Sequence, residues 1–293
     1  MRKLYIIVPL AVLFAHLLFR GCEEDTDTGV PVNFNQGWLF IRQDSANMDK
    51  ILPGNIPNHK WDEVILPHTA FIEPAVVTGS QWTGICWYKK VFRADWRFRR
   101  RHVALLFDGA MNDATIYLNG AEIYRNRGGY LPFYVDLTND ISYGKENEIL
   151  VRLDNRENPQ IPPGKPLAEL DFLYYSGLYR NVSLIIKDKL HITNAVETDT
   201  TLGGGVIAGF RDVGMDSAVV IVSALVQNDD KTPRAFTAKN ILHDAAGNDA
   251  AMAETGIIEL DPGQSRRITM EMVVRNPALW SPDQPFLYTL STD

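Results

Sequence analysis

Side chains able to do chemistry concentrate in one stretch, "DFLYYSGLYRNVSL", Asp171 to Leu184. It sets an acid, several tyrosines, a Ser-Gly pair and an arginine close together, then runs into an apolar strand pattern. Trp82, Trp87, Tyr88, Tyr130, Tyr174 and Tyr175 fall in or beside loops of the same region. Such a set suits a sugar. Ring C–H faces stack on aromatic planes, while acids and amides take the hydroxyls. The alternative for each ring is core or hairpin packing.

Other chemistries find little support. The histidines are scattered, with no metal-ligand spacing of His and Cys. "LGGG", Leu202 to Gly205, neither follows a clear strand nor opens a helix, so it reads as a turn rather than a phosphate cradle. There is no Ser-His-Asp signature. His68, in "LPHTA", reads as a hydrogen-bonded loop residue, and "FRRRH", Phe98 to His102, as a solvated turn between strands. Cys86, in the apolar "GICWYKKVF", reads as a small buried residue. No catalytic residue and no cofactor are assigned.

The elements that must position these groups are strands. "ATIYLNGAEIY" is a hairpin, because Ala114, Ile116 and Leu118 alternate and Asn119-Gly120 favours a tight turn. In "NEILVRLDN", Ile149, Val151 and Leu153 share one face, with Arg152 and Asp154 on the other. "HVALLFDG" and "NVSLIIKD" are evenly apolar, as in strands covered on both sides. Beyond "IIKDKLHITNAV" the texture changes. In "RRITMEMVV", Ile268, Met270, Met272 and Val274 alternate with Arg267, Thr269, Glu271 and Val273. No long segment has a period of 3.6, and turn residues recur about every ten positions. The chain reads as all-β: a jelly-roll-like sandwich over 30–188, then an immunoglobulin-like sandwich over 189–293.

The N-terminus, "MRKLYIIVPLAVLFAHLLFRGC", has two bases, an apolar run to about Phe19, and then Gly21-Cys22. Residues 1–21 read as a secretory signal; the run is marginal for a membrane span of about 20 apolar residues, and His16 interrupts it. Cys22 at the end of the run resembles a bacterial lipobox, which implies that it becomes the acylated first residue; the alternative is an ordinary signal peptide with a nearby Cys, and 22–29 reads as an acidic tether. The expected location is the cell envelope, periplasmic or surface-exposed, held to the membrane only by that lipid. The formal net charge is −7. The leader carries Arg2, Lys3 and Arg20 and no acid, so the remainder is more acidic still. Nucleic acid is therefore excluded as a partner on electrostatic grounds.

Six segments now fall into one order: "FNQGWLF", "WDEVILPHTA", "GICWYKKVF", "LLFDGAMNDATIYLNGAEI", "LDFLYYSGLYRNVSLI" and "NPALWSPDQPFLYTL". Together they resemble the N-terminal half of a glycoside hydrolase family 2 enzyme, the family of β-galactosidases, β-glucuronidases and β-mannosidases. The resemblance implies a sugar-binding jelly roll, an immunoglobulin-like domain, and a third domain, a (β/α)₈ barrel that carries both catalytic glutamates of a retaining mechanism. A barrel needs about 250 residues of alternating strands and helices, and the chain shows no such region. By the same resemblance, Asp171 reaches from the first domain toward the active site and binds sugar hydroxyls. Ser176-Gly177 forms the turn beside it, and Arg180 anchors the loop to a carboxylate or carbonyl. In "FDGAMNDA" the family's asparagine position falls on Met111, and Asn112 is one residue later. A shift by one reverses a strand's face, which puts strict galactoside specificity in doubt.

The chain stops at "STD", after "FLYTL". Family members continue there, so an unpaired sheet edge and a marginally stable second sandwich are expected. The expected partner is a β-glycoside, with a missing barrel or another protein at that edge. Three functions follow: the non-catalytic N-terminal part of a family 2 glycosidase, a free-standing carbohydrate-binding surface lipoprotein, or a structural module that pairs through its edge.

Overall fold

The computed structural model describes residues 31–43, 61–72, 77, 79, 81–170, 172, 174–198 and 203–293. The leader, Cys22, the tether and Asp171 lie outside the described residues. The strands fall into two groups. The first is β1 (Val32–Asn33), β2 (Trp38–Gln43), β3 (Asp62–Val64), β4 (Ile85–Arg93), β5 (His102–Phe107), β6 (Asp113–Leu118), β7 (Ala121–Arg127), β8 (Phe133–Asp136), β9 (Glu146–Asp154) and β10 (Val182–Lys187). The second is β11 (Leu190–Ile192), β12 (Val206–Arg211), β13 (Ser217–Asn228), β14 (Arg234–Phe236), β15 (Lys239–His243), β16 (Asp249–Glu254), β17 (Ile258–Leu260), β18 (Ser265–Arg275) and β19 (Thr289–Thr292). Among the described residues every strand pairing is antiparallel. The fold is all-β, as the strand patterns predict.

The first group makes two facing sheets, a six-stranded one in the order β3-β2-β4-β9-β6-β7 and a four-stranded one in the order β1-β10-β5-β8. One continuous core fills the space between them, with Trp38, Tyr88, Phe107 and Leu105 fully buried. Period-two alternation explains the rest. On β4, Cys86 and Tyr88 face this core, while Ile85 and Trp87 turn outward to a smaller cluster with Leu150. Ile149, Val151 and Leu153 point inward, as the alternation predicts. On β5 and β10, Ala104 and Ile185 pack outward with Tyr134, so both faces are covered. The β6–β7 hairpin turns at Asn119 (φ 52°) and Gly120 (φ 86°), the doubly left-handed turn its Asn-Gly favours.

In the second group, β13 is the spine: it pairs with β11, β12 and β18. A separate sheet runs β16-β15-β19, and β14 pairs β17. Ile268, Met270, Met272 and Val274 of β18 are buried. Among the described residues β19 has a strand neighbour, β15, on one side alone.

Candidate functional site

The site is built where two loops of the first sandwich meet. The connection from β5 to β6 contains Asp108 to Asn112, and the chain entering β10 contains Tyr174 to Asn181. Met111 N–H donates to the Gly177 carbonyl at 3.1 Å, and Asp108 N–H to the Asn181 carbonyl at 3.0 Å. These bonds stitch the loops side by side. Gly177 has φ +91°, and a methyl there would collide with the Tyr88 hydroxyl and lie 2.8 Å from the His68 carbonyl oxygen. Glycine is required at that turn for its backbone and for its missing side chain alike. His68 is tied in place: its Nδ1 is 2.8 Å from the Tyr88 hydroxyl, and its N–H donates to Leu178.

Asn112 is the focus. Its side chain is buried and Nδ2 donates to the Tyr174 hydroxyl at 2.8 Å. Its Oδ1 is buried with no hydrogen-bond partner among the described residues. Flipping the amide would leave its NH₂ in the same position, so one polar amide atom is orphaned either way. Burial pushes the Tyr174 hydroxyl up to about 12, with the Asn112 bond opposing. It stays protonated at neutral pH and can act as a donor.

Asn112 lines a polar recess of about 270 Å³ with Asp113, Asp154, Arg156, Glu157 and Asn158. Asp113 on β6 and Asp154 on β9 are direct cross-strand partners. Like charges so placed repel, and arginines neutralise them. Arg125 grips Asp113 with two bonds of 2.9 and 2.7 Å. Arg156 grips Asp154 at 2.9 and 2.7 Å, and Arg152 adds a third bond at 3.1 Å. Burial works against the Asp154 ion, but the Arg156 side chain and amide hold its carboxyl below the ordinary range. A general acid needs the opposite shift. Asp154 is thus held as a fixed negative charge at the edge of the recess. Half-exposed Tyr130 and Phe172 meet edge to face at 6.4 Å, and Tyr175 is also half-exposed.

A family model described as "Glycosyl hydrolases family 2, sugar binding domain" matches residues 25–188, and one described as "Glycosyl hydrolases family 2" matches residues 210–293. The chain belongs to glycosyl hydrolase family 2. It is 28% identical over 262 residues to a beta-galactosidase of Thermoanaerobacter pseudethanolicus, covering 89% of this chain and 32% of that protein. It is 28% identical over 270 residues to a beta-glucuronidase of Formosa agariphila, covering 87% of this chain and 27% of the relative. The crystal structure of a family 2 member from Bacteroides cellulosilyticus superposes with a TM-score of 0.74 at 25% identity, over 89% of this chain and 34% of that one. The chain thus spans about a third of the length of the relatives it matches.

Several expectations change. Trp87 and Tyr88 are buried core rings, not loop platforms. Among the described residues Arg180 reaches a ring instead of a carboxylate or carbonyl: its guanidinium lies 5.6 Å from the Tyr179 ring centre. Met111 is buried, while the Asn112 amide lines the recess. "FRRRH" is not solvated throughout: its last residue, His102, is buried and opens β5. Sequence spacing also misses a junction cluster of His102, His191, Glu197 and Asp229, because the four come from separate elements.

Proposed function

We propose that this chain is the non-catalytic, sugar-binding part of a family 2 enzyme that hydrolyses β-linked glycosides by a retaining mechanism. Asn112 and Asp171 bind the sugar hydroxyls. The observation that carries this reading is the orphaned amide atom of Asn112, buried beside the Tyr174 hydroxyl at the recess. A buried polar atom without a partner costs about 1–3 kcal/mol, and a hydroxyl of a bound sugar removes that cost. The relatives' names, beta-galactosidase and beta-glucuronidase, support a β-glycoside. The outer edge of β19 and the exposed aromatic surface near it pack against the rest of the enzyme. Cys22 carries the lipid that holds the protein at the cell envelope.

The test is glycan-array binding by the full chain with Asn112→Ala and Asp171→Ala as comparisons. The expected result is weak binding of β-galactosides or β-glucuronides, Kd about 1 mM (about −4 kcal/mol), lost in either variant. No signal on any glycan, or binding indifferent to both substitutions, overturns it. Hydrolysis of a chromogenic β-galactoside by this chain alone would contradict the non-catalytic assignment. Incorporation of labelled palmitate, abolished by Cys22→Ser, tests the anchor.

A further inference from the structure

A second polar constellation sits at the junction of the two sandwiches and has no part in sugar binding. His102 opens β5, His191 lies in β11, Glu197 follows in the next turn, and Asp229 directly follows β13. One donor atom from each lies within 4.8 Å of the others. Both histidines are buried, and their ring centres are 4.7 Å apart.

The hydrogen bonds fix which nitrogens face inward. His191 Nδ1 is 2.9 Å from the Asp188 carbonyl oxygen. A carbonyl only accepts, so Nδ1 carries a proton, and in the neutral ring Nε2 then presents its lone pair. That lone pair faces Glu197 Oε1 at 3.0 Å. Two electron-rich atoms at that distance need a positive bridge. His102 shows the same division. Its Nδ1 is 3.0 Å from the Asp229 carboxylate, so it donates there. Its Nε2 then faces Glu197 Oε1 at 3.6 Å and the Tyr134 hydroxyl at 3.0 Å.

We propose that His102 Nε2, His191 Nε2 and Glu197 Oε1 form a site for a divalent transition-metal ion of the zinc class, which clamps the two sandwiches together. Imidazole and carboxylate together suit Zn²⁺ over the all-oxygen sites of Mg²⁺ or Ca²⁺. Each ring gives its other N–H to an oxygen, Asp188 carbonyl or Asp229 carboxylate, the outer arrangement that orients metal-bound histidines. Glu197 is oriented too: its Oε2 accepts the Asn194 N–H at 2.6 Å. A recess of about 430 Å³, lined in part by His102, Tyr134, Glu197 and Asp229, provides entry. Lys187 Nζ, 3.7 Å from Glu197 Oε2, is the opposing charge. It is held back by the Ile192 carbonyl at 2.9 Å, on the far carboxylate oxygen. Asp188 is occupied by Arg101 and Arg234. A lone proton on His191 could bridge the same pair, so the test must read the metal itself.

The mature chain, carrying Cys22→Ser so that no terminal thiol competes, is stripped with chelator and titrated with Co²⁺ at pH 7.5. One Co²⁺ per chain is expected, with visible ligand-field absorption, displaced by one Zn²⁺. Saturating Zn²⁺ raises the unfolding midpoint by roughly 5 °C. His191→Ala and Glu197→Gln each weaken binding by at least about 100-fold, and Asp229→Asn, one step removed, by about 10-fold. His243→Ala, in a separate ion pair with Asp249, changes nothing. Absence of stoichiometric uptake overturns the site, whatever the variants do. So does uptake that survives His191→Ala and Glu197→Gln. If those two fail to fold, the milder Asp229→Asn decides: unchanged affinity overturns the site.

Discussion

The two sandwiches obey the same strand alternation yet bury different things. The first has one continuous core with Trp38, Tyr88 and Phe107 sealed inside. The second has two separate clusters, Val220, Val222, Leu242, Met272 and Val274 in one, and Val226, Ala238, Leu260, Ile268 and Met270 in the other. Neither has a buried aromatic ring. Phe210, Trp280 and Phe286 are exposed instead, around an apolar groove of about 590 Å³. Alternation decides which residues point inward. Side-chain size and continuity decide how much that burial is worth, since each methylene removed from water contributes about 0.8 kcal/mol. The first sandwich should therefore be the more stable unit.

The harshest way to break this contrast is Gly177→Val. A side chain at that left-handed turn meets Tyr88 and the His68 backbone. We expect a loss of at least about 4 kcal/mol, with the first sandwich's denaturant transition collapsing while the second's stays. Next in size is a matched pair. Leu105→Ala, in the large core, should cost about 3–4 kcal/mol, and Leu242→Ala, in a small cluster, about 2 kcal/mol. Equal costs in urea titrations would erase the difference between the cores. Limited proteolysis sharpens it further: early cuts should map to 203–293, and equal resistance of both units would refute the ranking. Asn112→Ala should move stability by less than about 1 kcal/mol, because the lost Tyr174 bond is offset by removing an orphaned amide atom.

The smallest effect is a pH dependence confined to the first sandwich. Burial holds the His68 ring below its ordinary value, with Asp62 opposing. As pH falls, the unfolded chain therefore takes up this proton first. The contribution is complete above about pH 6.5 and is lost as pH drops through that value toward the folded one. Wild type should lose more stability than His68→Gln between pH 7 and 5.5. A wild-type-minus-variant difference that is flat, or that grows with falling pH, would show that the ring titrates normally or is held charged.

What was legible in the sequence was local. The hairpin at Asn119-Gly120, the inward row of β9 and the inward row of β18 each follow from neighbouring residues. The opposition of Asp113 and Asp154 needs the β6–β9 register, which no short window contains. Trp87 and Tyr88 share the residue types of a sugar platform; the facing sheet buries Tyr88, and an outer cluster with Ile85 and Leu150 buries Trp87. His102 was hidden by the arginines before it: the charged run describes the turn, but the strand begins at the histidine. Its neighbours at the junction, His191, Glu197 and Asp229, arrive from the far side of the domain boundary.

Cys86 sits on β4 against the large core, shut off from solvent, and burial raises its thiol far above the ordinary range. With Cys22 acylated or replaced by serine, it is the sole sulfhydryl in the polypeptide. An alkylating reagent can find it only when the sheets part, so its labelling rate is a built-in clock for opening of the first sandwich. The same seclusion keeps the unpaired cysteine from cross-linking to neighbouring molecules while the sandwich stays closed.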